Sequence, residues 1–337
     1  MIEIVGAGSI GLMLAARLAI SGTSVHLWTR TAETAEQLTS KGIQFVDIDG
    51  VSHLVGVTAS SIEEDVPQYI TSRTNRWLLL CMKQTDLTTA LFYHLQRITQ
   101  HDRQVTALSM IALQNGFGHL SLLATELPDV AIYAAVLTHG ARRTAQTTVL
   151  HTGAGEIWIS STAEQAVGTT TSIEMIEQTT KNTIDLQKKV VHMMNKAGLM
   201  VKLSNEMYNR LYEKLLINAV INPLTAIYDV SNGELPKHRT RLSLMRQLCE
   251  ESYAVLQLVG LQPLGVNYYW ERILQICEQT ATNVSSMLAD VRAEKETEIM
   301  AINGAIVIIA REQEVQAPLN TAMIELVQVL CLGRRKE

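Results

Sequence analysis

The strongest constraint on the fold is a glycine-rich turn at the start of the chain. Residues 6–11 read Gly-Ala-Gly-Ser-Ile-Gly, with the apolar residues Ile2, Ile4 and Val5 before them and a helical apolar pattern over 10–20 after them. The first glycine permits a tight turn, the second lets a pyrophosphate approach the backbone, and the third packs the helix closely on the strand. The helix N-terminus then offers free N–H groups to phosphates. This pattern predicts a dinucleotide site that includes Gly6, Ala7, Gly8, Ser9, Ile10 and Gly11.

The segment after the second predicted strand bears on which dinucleotide binds. An acidic residue at this strand end binds the ribose 2′-hydroxyl of NAD and repels the 2′-phosphate of NADP. No Asp or Glu occurs between Gly22 and Ala32, and Arg30 follows the strand. A guanidinium suits phosphate recognition, and Thr29 and Thr31 offer hydroxyl groups beside it. We therefore predict NADP(H) bound by Arg30, with an ordinary surface arginine as the alternative.

Three further apolar runs predict strands that are buried on both faces. They cover 77–82, 105–113 and 130–138, and they alternate with helical patterns, which indicates a doubly wound α/β sheet. Polar residues follow these runs at the strand ends, where ligands bind in such sheets. Lys83 and Asn115 are therefore candidates for cofactor or substrate contacts, with solvated loop ends as the alternative. We expect His139, after the third run, to be mainly structural.

The texture of the sequence changes in the second half of the chain. Residues 160–183 are rich in Thr, Ser and Gln and predict a solvated loop, and 184–197 predict a helix. From about residue 205 the pattern is almost entirely helical. We predict two domains, a dinucleotide-binding domain over 1–204 and a helical domain over 205–337. The helices predicted in the second domain cover 207–218, 242–259, 266–280, 297–313 and 318–330.

An unusual polar line begins in the first of these helices and continues past its predicted end. Lys214, Asn218 and Asn222 recur at i, i+4 and i+8 before Pro223, on a helix whose other residues are mostly apolar. Buried amides and ammonium groups need partners, so these side chains either satisfy nearby backbone groups or line a polar pocket. The local sequence leaves both interpretations open. Glu298, taken alone, is typical of an exposed helix carboxylate.

Composition narrows the classes of partner. The net charge of −5 does not favour nucleic acid or an anionic membrane, and no apolar stretch reaches the roughly twenty residues of a membrane span. The four cysteines lie far apart without metal-type spacing, which predicts reduced thiols and no metal site. We expect a cytoplasmic globular protein that acts on a small molecule. A homodimer is the default assembly, because dimers are the commonest oligomers.

Taken together, the motifs resemble the 2-dehydropantoate 2-reductase (ketopantoate reductase) family, and the match spans almost the whole chain. Two regions, 47–67 and 160–183, look longer than is usual in that family. The matching strings, in chain order, are the glycine-rich turn with Arg30, CMKQTD, LQNGFG, THGA, HTGAGE, YEKLLINAVINPLTA and NVSSMLADVRAEKETEIMAINGAIV.

The resemblance implies a fold and a set of roles. The fold is an N-terminal Rossmann domain followed by an all-α domain similar to the C-terminal domain of 6-phosphogluconate dehydrogenase, with the active site in the cleft between them. Lys214 matches the catalytic acid, and Glu298 matches a carboxylate that supports substrate and cofactor. The positions matching cofactor contacts are Gly6, Gly8, Gly11, Arg30, Lys83, Asn115 and Glu298. The positions matching substrate contacts are Asn115, Lys214, Asn218, Asn222 and Ser286.

The activity implied by the resemblance is NADPH-dependent reduction of 2-dehydropantoate to (R)-pantoate, a step of pantothenate and coenzyme A biosynthesis. Hydride delivery to a 2-keto carbon leaves a developing alkoxide, which an ammonium at Lys214 can stabilise and protonate. Two alternatives remain open at this point: reduction of another branched 2-keto acid, and a non-catalytic NADP(H)-binding regulator.

Overall fold

The computed structural model describes residues 1–71, 75–100, 107–163 and 187–334. The chain divides into two compact units. The sheet unit comprises Met1–Gln114 and His119–Met207, and the helical unit comprises Asn115–Gly118 and Tyr208–Glu337. The predicted fold class, a Rossmann-type α/β part followed by an all-helical part, is confirmed.

An eight-stranded sheet forms the centre of the sheet unit, in the order β12-β11-β8-β7-β6-β1-β2-β5. The strands from β8 to β5 in this order are parallel to one another. Strand β11 pairs with β8 in the antiparallel direction. The apolar runs predicted as strands form β1, β2, β6, β7 and β8. The strands are β1 (Ile2–Val5), β2 (Val25–Thr29), β5 (Thr58–Ser61), β6 (Asn75–Leu80), β7 (Ala107–Ala112), β8 (Ala131–Leu137), β11 (Ile157–Ser160) and β12 (Val201–Ser204).

The helices of this unit follow the strands and cover the sheet. Seven of the twelve residues of helix α1 are buried, which explains its largely apolar sequence. The helices are α1 (Ser9–Ile20), α2 (Ala32–Lys41), α3 (Gln68–Thr71), α4 (Thr89–Gln100), α5 (His119–Glu126) and α6, described over 187–196. Most of the loop predicted over 160–183 lies outside the described residues.

A second, four-stranded sheet was not predicted from the sequence. Its order is β4-β3-β10-β9, and it packs against α1. Two of its strands come from the region after α2 and two from the region after β8, so neither region alone shows the sheet. The strands are β3 (Ile43–Val46), β4 (Ser52–Val55), β9 (Gly140–Ala145) and β10 (Thr148–Gly153).

The helical unit packs around one buried apolar core. Among the described residues, no helix is both long and apolar enough to cross a membrane. Its helices are α7 (Met207–Tyr228), α8 (Arg239–Gln257), α9 (Val266–Gln279), α10 (Ser286–Arg292), α11 (Ile299–Glu312) and α12 (Pro318–Arg334).

Helix α7 runs through Pro223 and continues for five more residues. Proline has no N–H, so the carbonyl of Ala219 loses the hydrogen bond that the backbone would supply. The side-chain amide of Asn303 on α11 donates to that carbonyl at 3.0 Å. The same amide donates to Asn320 Oδ1 at 2.9 Å, and Asn320 Nδ2 donates to Glu251 and Ser252 on α8. A buried polar network therefore repairs the helix at its proline and links four helices.

A buried ion pair joins the central strands of the large sheet. Arg76 donates to both carboxylate oxygens of Glu3, at 2.7 and 2.8 Å, and the indole N–H of Trp28 donates to the same carboxylate at 2.9 Å. Glu3 and Arg76 are 1% and 2% exposed, so neither charge reaches solvent. Because the three residues lie on β1, β2 and β6, one carboxylate ties three adjacent strands together.

We expect Glu3→Gln to lower the free energy of unfolding by about 3 kcal/mol, because Arg76 would remain buried without its counter-charge. Urea unfolding followed by circular dichroism measures this change. Glu33→Gln, which alters an exposed carboxylate that accepts a hydrogen bond from Gln37, is the matched control and should change stability by less than about 0.5 kcal/mol. Equal stabilities of the two variants would contradict the role assigned to the buried pair.

Candidate active site

The glycine-rich turn has a distinct requirement at each of its three glycines. Gly6 has a φ of +105°, a conformation that residues with a side chain rarely adopt. A β-carbon on Gly11 would collide with the carbonyl oxygen of Gly6, so the helix packs on the turn only without one. A β-carbon on Gly8 would meet nothing within 4 Å. The open side of Gly8 is therefore free for a group that approaches the backbone, as a pyrophosphate does in dinucleotide folds.

The electrostatics of this turn favour an anion. Gly8 is the N-cap of α1 and provides no capping side chain, and the first turn of the helix contains no acidic residue. The N-terminal N–H groups of α1 and the positive end of its dipole therefore lack a competing carboxylate on their own helix. The residues predicted from the sequence for a pyrophosphate form a cradle that fits one.

Arg143, on β9, contacts this turn and was missed in the sequence. Its Nη1 donates to the carbonyl oxygen of Ala7 at 2.9 Å, and its backbone N–H donates to Ser9 Oγ at 3.1 Å. The contact adds a cation beside the predicted phosphate cradle and holds the backbone of the turn. No local pattern marks this arginine, because the strand that carries it belongs to the sheet that the sequence did not predict.

Arg30 follows β2, and its side chain is 80% exposed. Its Nη2 donates to Asp86 Oδ1 at 2.6 Å, so the arginine is already paired with an acid from another segment. The neighbouring hydroxyl groups shape the backbone: Thr29 Oγ1 donates to the Thr31 carbonyl, and Thr31 Oγ1 caps α2 by accepting from Thr34 N–H. Thr29 is buried, so the sequence-based suggestion that it adds a donor to the ligand is wrong.

Lys83 lies after β6 and precedes the short 3₁₀ helix Gln84–Asp86. Strands β6 and β2 pair with opposite sides of β1. The glycine-rich turn follows β1, Lys83 follows β6 and Arg30 follows β2, so all three lie after neighbouring strands. The structure therefore brings the sheet-unit residues predicted for the cofactor to one edge of the sheet, where ligands bind in doubly wound folds.

A second group of predicted residues comes together within the helical unit. Lys214 on α7 is partly buried, and burial lowers its pKa to about 8, while the negative charge of Glu298 acts in the opposite direction. Glu298 is the N-cap of α11 and only 5% exposed, so it is not the exposed carboxylate that its local sequence indicates. Asn115 Nδ2 donates to Glu298 Oε2 at 3.3 Å. An ammonium, a carboxylate and an amide thus form one polar cluster.

The loop that carries Asn115 belongs to the helical unit. The backbone N–H of Phe117 donates to the Ala301 carbonyl at 3.2 Å, and the Phe117 ring lies 5.1 Å from the ring of Tyr212. These contacts fix the loop on α7 and α11. They also explain how Asn115, far from Glu298 in the chain, reaches its carboxylate.

The remaining predicted residues extend the cluster along α7. Asn218 is partly exposed, and Asn222 is buried at 6% exposure. Thr225 Oγ1 donates to the Asn222 carbonyl and contacts Ser285 Oγ at 2.7 Å, which ties this part of α7 to the start of α10. Ser286 is the first residue of α10 and is exposed, whereas Ser285 is buried and caps the helix. Ser286 is therefore the hydroxyl available to a ligand at this position.

His139, in the sheet unit, takes part in a chain of side-chain hydrogen bonds. Its Nε2 contacts the Leu199 carbonyl at 3.0 Å, its Nδ1 contacts His151 Nε2 at 3.2 Å, and Arg17 contacts His151 Nδ1 at 3.0 Å. Arginine can only donate and a carbonyl can only accept, so the chain is complete when both imidazoles are neutral. Burial lowers the pKa of both histidines, in agreement with that state. The contacts of His139 are those of a structural residue.

Comparison with known proteins identifies the family. The family model described as ketopantoate reductase PanE/ApbA matches residues 2–164, and the model of its C-terminal domain matches residues 206–330. A 2-dehydropantoate 2-reductase of Bacillus subtilis strain 168 is 31% identical over 304 residues, which cover 90% of this chain and 88% of the relative. The chain belongs to the ketopantoate reductase family. It is therefore grouped with oxidoreductases, and the resemblance drawn from its motifs is confirmed.

Solved structures share the fold over the whole chain. The crystal structure of a PanE/ApbA family ketopantoate reductase from Ralstonia eutropha JMP134 has a TM-score of 0.79 at 23% identity and covers 100% of both chains. A D-mandelate dehydrogenase, solved as a ternary structure with NADH and anilino(oxo)acetate, has a TM-score of 0.80 at 22% identity and covers 98% of this chain and 99% of its own. At these identities the likeness establishes the fold alone.

We expect Lys214 to titrate near pH 8, and Glu298→Gln to lower its pKa further, because the attraction that favours the ammonium would be lost. The pH dependence of its modification by trinitrobenzenesulfonate, followed by peptide mass spectrometry, measures both values. Glu325→Gln, an exposed carboxylate on α12, is the control and should leave the Lys214 pKa unchanged. A pKa that stays the same or rises in Glu298→Gln would rule out the electrostatic coupling.

Proposed function

We propose that the protein is an NADPH-dependent 2-dehydropantoate 2-reductase, which forms (R)-pantoate for pantothenate and coenzyme A biosynthesis. The observation that carries the proposal is the electrostatic interaction of Lys214 with the buried carboxylate of Glu298, which also accepts a hydrogen bond from Asn115. Membership of the ketopantoate reductase family supports the same reaction. A non-catalytic nucleotide-binding regulator has no need of a lysine with a lowered pKa beside a buried carboxylate.

The residues present fit a nicotinamide dinucleotide. The open face of Gly8 and the N-terminus of α1 would hold the pyrophosphate, Arg30 the 2′-phosphate, and Lys83 the cofactor at the neighbouring strand end. When bound, the reduced cofactor supplies the hydride for the 2-keto carbon. The protein supplies orientation and electrostatics.

Lys214 is proposed as the catalytic acid. As the keto carbon receives a hydride, its oxygen develops negative charge, and the ammonium of Lys214 stabilises that charge and donates the proton. Partial burial strengthens this interaction, because the charges attract more strongly where water is excluded. The lowered pKa also makes the ammonium a better proton donor than an ordinary lysine near neutral pH.

The neighbouring groups orient the reactants. Glu298 favours the charged form of Lys214 and accepts a hydrogen bond from Asn115. We assign its carboxylate the role of holding the hydroxyl that forms on the product and of supporting the cofactor. Asn218, Asn222 and Ser286 offer amide and hydroxyl groups for the carboxylate and hydroxyl of a small 2-keto acid. We propose that Asn115 contacts both cofactor and substrate.

The first test is an assay of NADPH oxidation with 2-dehydropantoate. We expect Lys214→Ala to lower kcat by about two to four orders of magnitude, since general acid catalysis contributes roughly that much, while Kd for NADPH changes less than about threefold. Lys237→Ala, an exposed lysine of the same unit, is the matched control and should retain full activity. No turnover by the unmodified protein, or equal turnover by Lys214→Ala, would refute the proposal.

The pH profile gives a second readout of the same residue. The pKa of Lys214 lies near 8, so the acid is protonated below that pH, and kcat/KM should fall as the pH rises through about 8. The falling limb should move to lower pH in Glu298→Gln. A limb that stays in place would assign the proton to another group.

We expect Arg30→Ala to weaken NADPH binding about tenfold or more and to change NADH binding less than twofold, because only NADPH carries the 2′-phosphate. Titration of nicotinamide fluorescence measures both dissociation constants. Arg311→Ala, an exposed arginine of the helical unit, is the control. An unchanged ratio of the two constants would remove Arg30 from this role.

The second candidate is an NADPH-dependent reductase of another branched 2-keto acid. The fold is shared with a D-mandelate dehydrogenase, so the fold does not by itself select the keto acid. A panel of 2-keto acids compared by kcat/KM separates the two candidates. Preference for 2-dehydropantoate supports the first, and a higher value for another keto acid supports the second.

A further inference from the structure

An ion pair spans the strand ends beside the glycine-rich turn. Arg30 Nη2 donates to Asp86 Oδ1 at 2.6 Å, and the side chains of Arg30 and Asp86 are 80% and 32% exposed. Arg30 follows β2, and Asp86 ends the 3₁₀ helix after β6, so the partners come from the two strands that flank β1. The pair therefore crosses the edge of the sheet at the predicted cofactor site.

Both ends of this pair are held by the backbone around them. Thr29 Oγ1 donates to the Thr31 carbonyl at 2.9 Å, which fixes the turn that contains Arg30. The backbone N–H of Asp86 donates to the Lys83 carbonyl at 3.1 Å, and its carbonyl accepts from Thr88 N–H at 2.9 Å. The carboxylate is therefore presented to Arg30 by an ordered turn.

The position of this carboxylate matters for the choice of dinucleotide. At the end of the second strand, an acid accepts a hydrogen bond from the ribose 2′-hydroxyl of NAD and repels a 2′-phosphate. The segment from Gly22 to Ala32 contains no such acid, which is why the sequence predicts NADP(H). Asp86 brings a carboxylate to the same place from a segment 56 residues away.

We propose that Asp86 is a specificity-determining residue that limits the preference for NADPH over NADH. This inference rests on the proposed function only in placing the adenosine ribose of the cofactor at Arg30. With Asp86 ionised, the 2′-phosphate meets a pair whose charges cancel, and it competes with the carboxylate for the guanidinium. A 2′-hydroxyl instead finds an acceptor in the carboxylate.

The donor inventory of Arg30 explains why NADPH still binds. A guanidinium has five N–H donors, and Asp86 occupies one nitrogen of the group, so the others remain for a phosphate. The Asp86 carboxylate nevertheless weakens NADPH binding, because the 2′-phosphate carries nearly two negative charges at neutral pH and the single positive charge of Arg30 is already balanced. Removing the carboxylate should therefore strengthen NADPH binding specifically.

The test is the ratio of the dissociation constants for NADH and NADPH, measured with the full-length protein at fixed ionic strength. In Asp86→Asn we expect this ratio to rise roughly two- to fivefold, the range of an exposed ion pair. Asp65→Asn makes the same chemical change in another surface carboxylate, which lies 3.8 Å from Arg97, and should leave the ratio unchanged. Asp86→Ser provides a second variant that also removes the charge.

The double variant Arg30→Ala with Asp86→Asn tests whether the effect passes through the arginine. In the absence of Arg30, Asp86→Asn should raise the ratio by less than it does with Arg30 present, because the competition for the guanidinium is then gone and only the direct effects of the carboxylate on the ribose 2′ position are lost. ADP-ribose and its 2′-phosphate provide the same comparison with ligands that cannot take part in hydride transfer. The binding measurement is therefore independent of turnover with 2-dehydropantoate. If turnover were absent, the proposed function would be overturned, and the binding ratio would still decide whether Asp86 sets the dinucleotide preference.

Three results would overturn the inference. One is a ratio in Asp86→Asn and Asp86→Ser that equals or falls below that of the unmodified protein. Another is an increase of the same size in Asp65→Asn, or an increase in Asp86→Asn that is undiminished without Arg30. The third is failure of the unmodified protein to bind either dinucleotide.

Discussion

The helical unit depends on a hydrogen bond that its longest helix cannot make for itself. Pro223 leaves the Ala219 carbonyl without a backbone donor, and the buried amide of Asn303 takes that place. Because α7 stays helical through this point, Lys214, Asn218 and Asn222 keep a common face. The same contact holds α11 against α7, and α11 begins beside Glu298, whose charge acts on Lys214. The bond that repairs the helix thus also positions the polar cluster, and an apolar residue at 303 would leave two buried polar groups unsatisfied.

In the sheet unit, a buried charged side chain holds the short strand β1 between its neighbours. Strand β1 has only four residues, yet the glycine-rich turn follows directly from its last one. The carboxylate of Glu3 binds Arg76 and Trp28, so β1 is fixed to both of its neighbours by side chains as well as by the backbone ladder. Breaking a buried pair of this kind is costly, because one charge would stay buried alone. These side-chain contacts therefore fix the positions of the three strand ends, which are followed by the glycine-rich turn, Arg30 and Lys83.

The sequence predicted those parts of the protein whose signal is local. Apolar runs marked the buried strands, helical spacing marked the helices of the second half, and the glycine pattern marked the turn. The four-stranded sheet escaped because its strands are short, partly exposed and drawn from two distant regions; β9 has no buried residue at all. Arg143 and Asp86 escaped for the same reason, since each meets its partner over a long stretch of chain. The burial of Glu298 depends on packing, which spacing along one helix does not reveal.

The placement of residues 115–118 has a consequence for how the two units can be separated. The backbone leaves the sheet unit after Gln114, returns to it at His119 and leaves it again after Met207. A fragment that starts at Tyr208 would contain Lys214 and Glu298 but would lack the amide that contacts the carboxylate, together with Phe117. The helical unit is thus not a module that one cut can excise or graft. A chimera between relatives must carry these four residues with the helices they contact, even though they are encoded within the other unit.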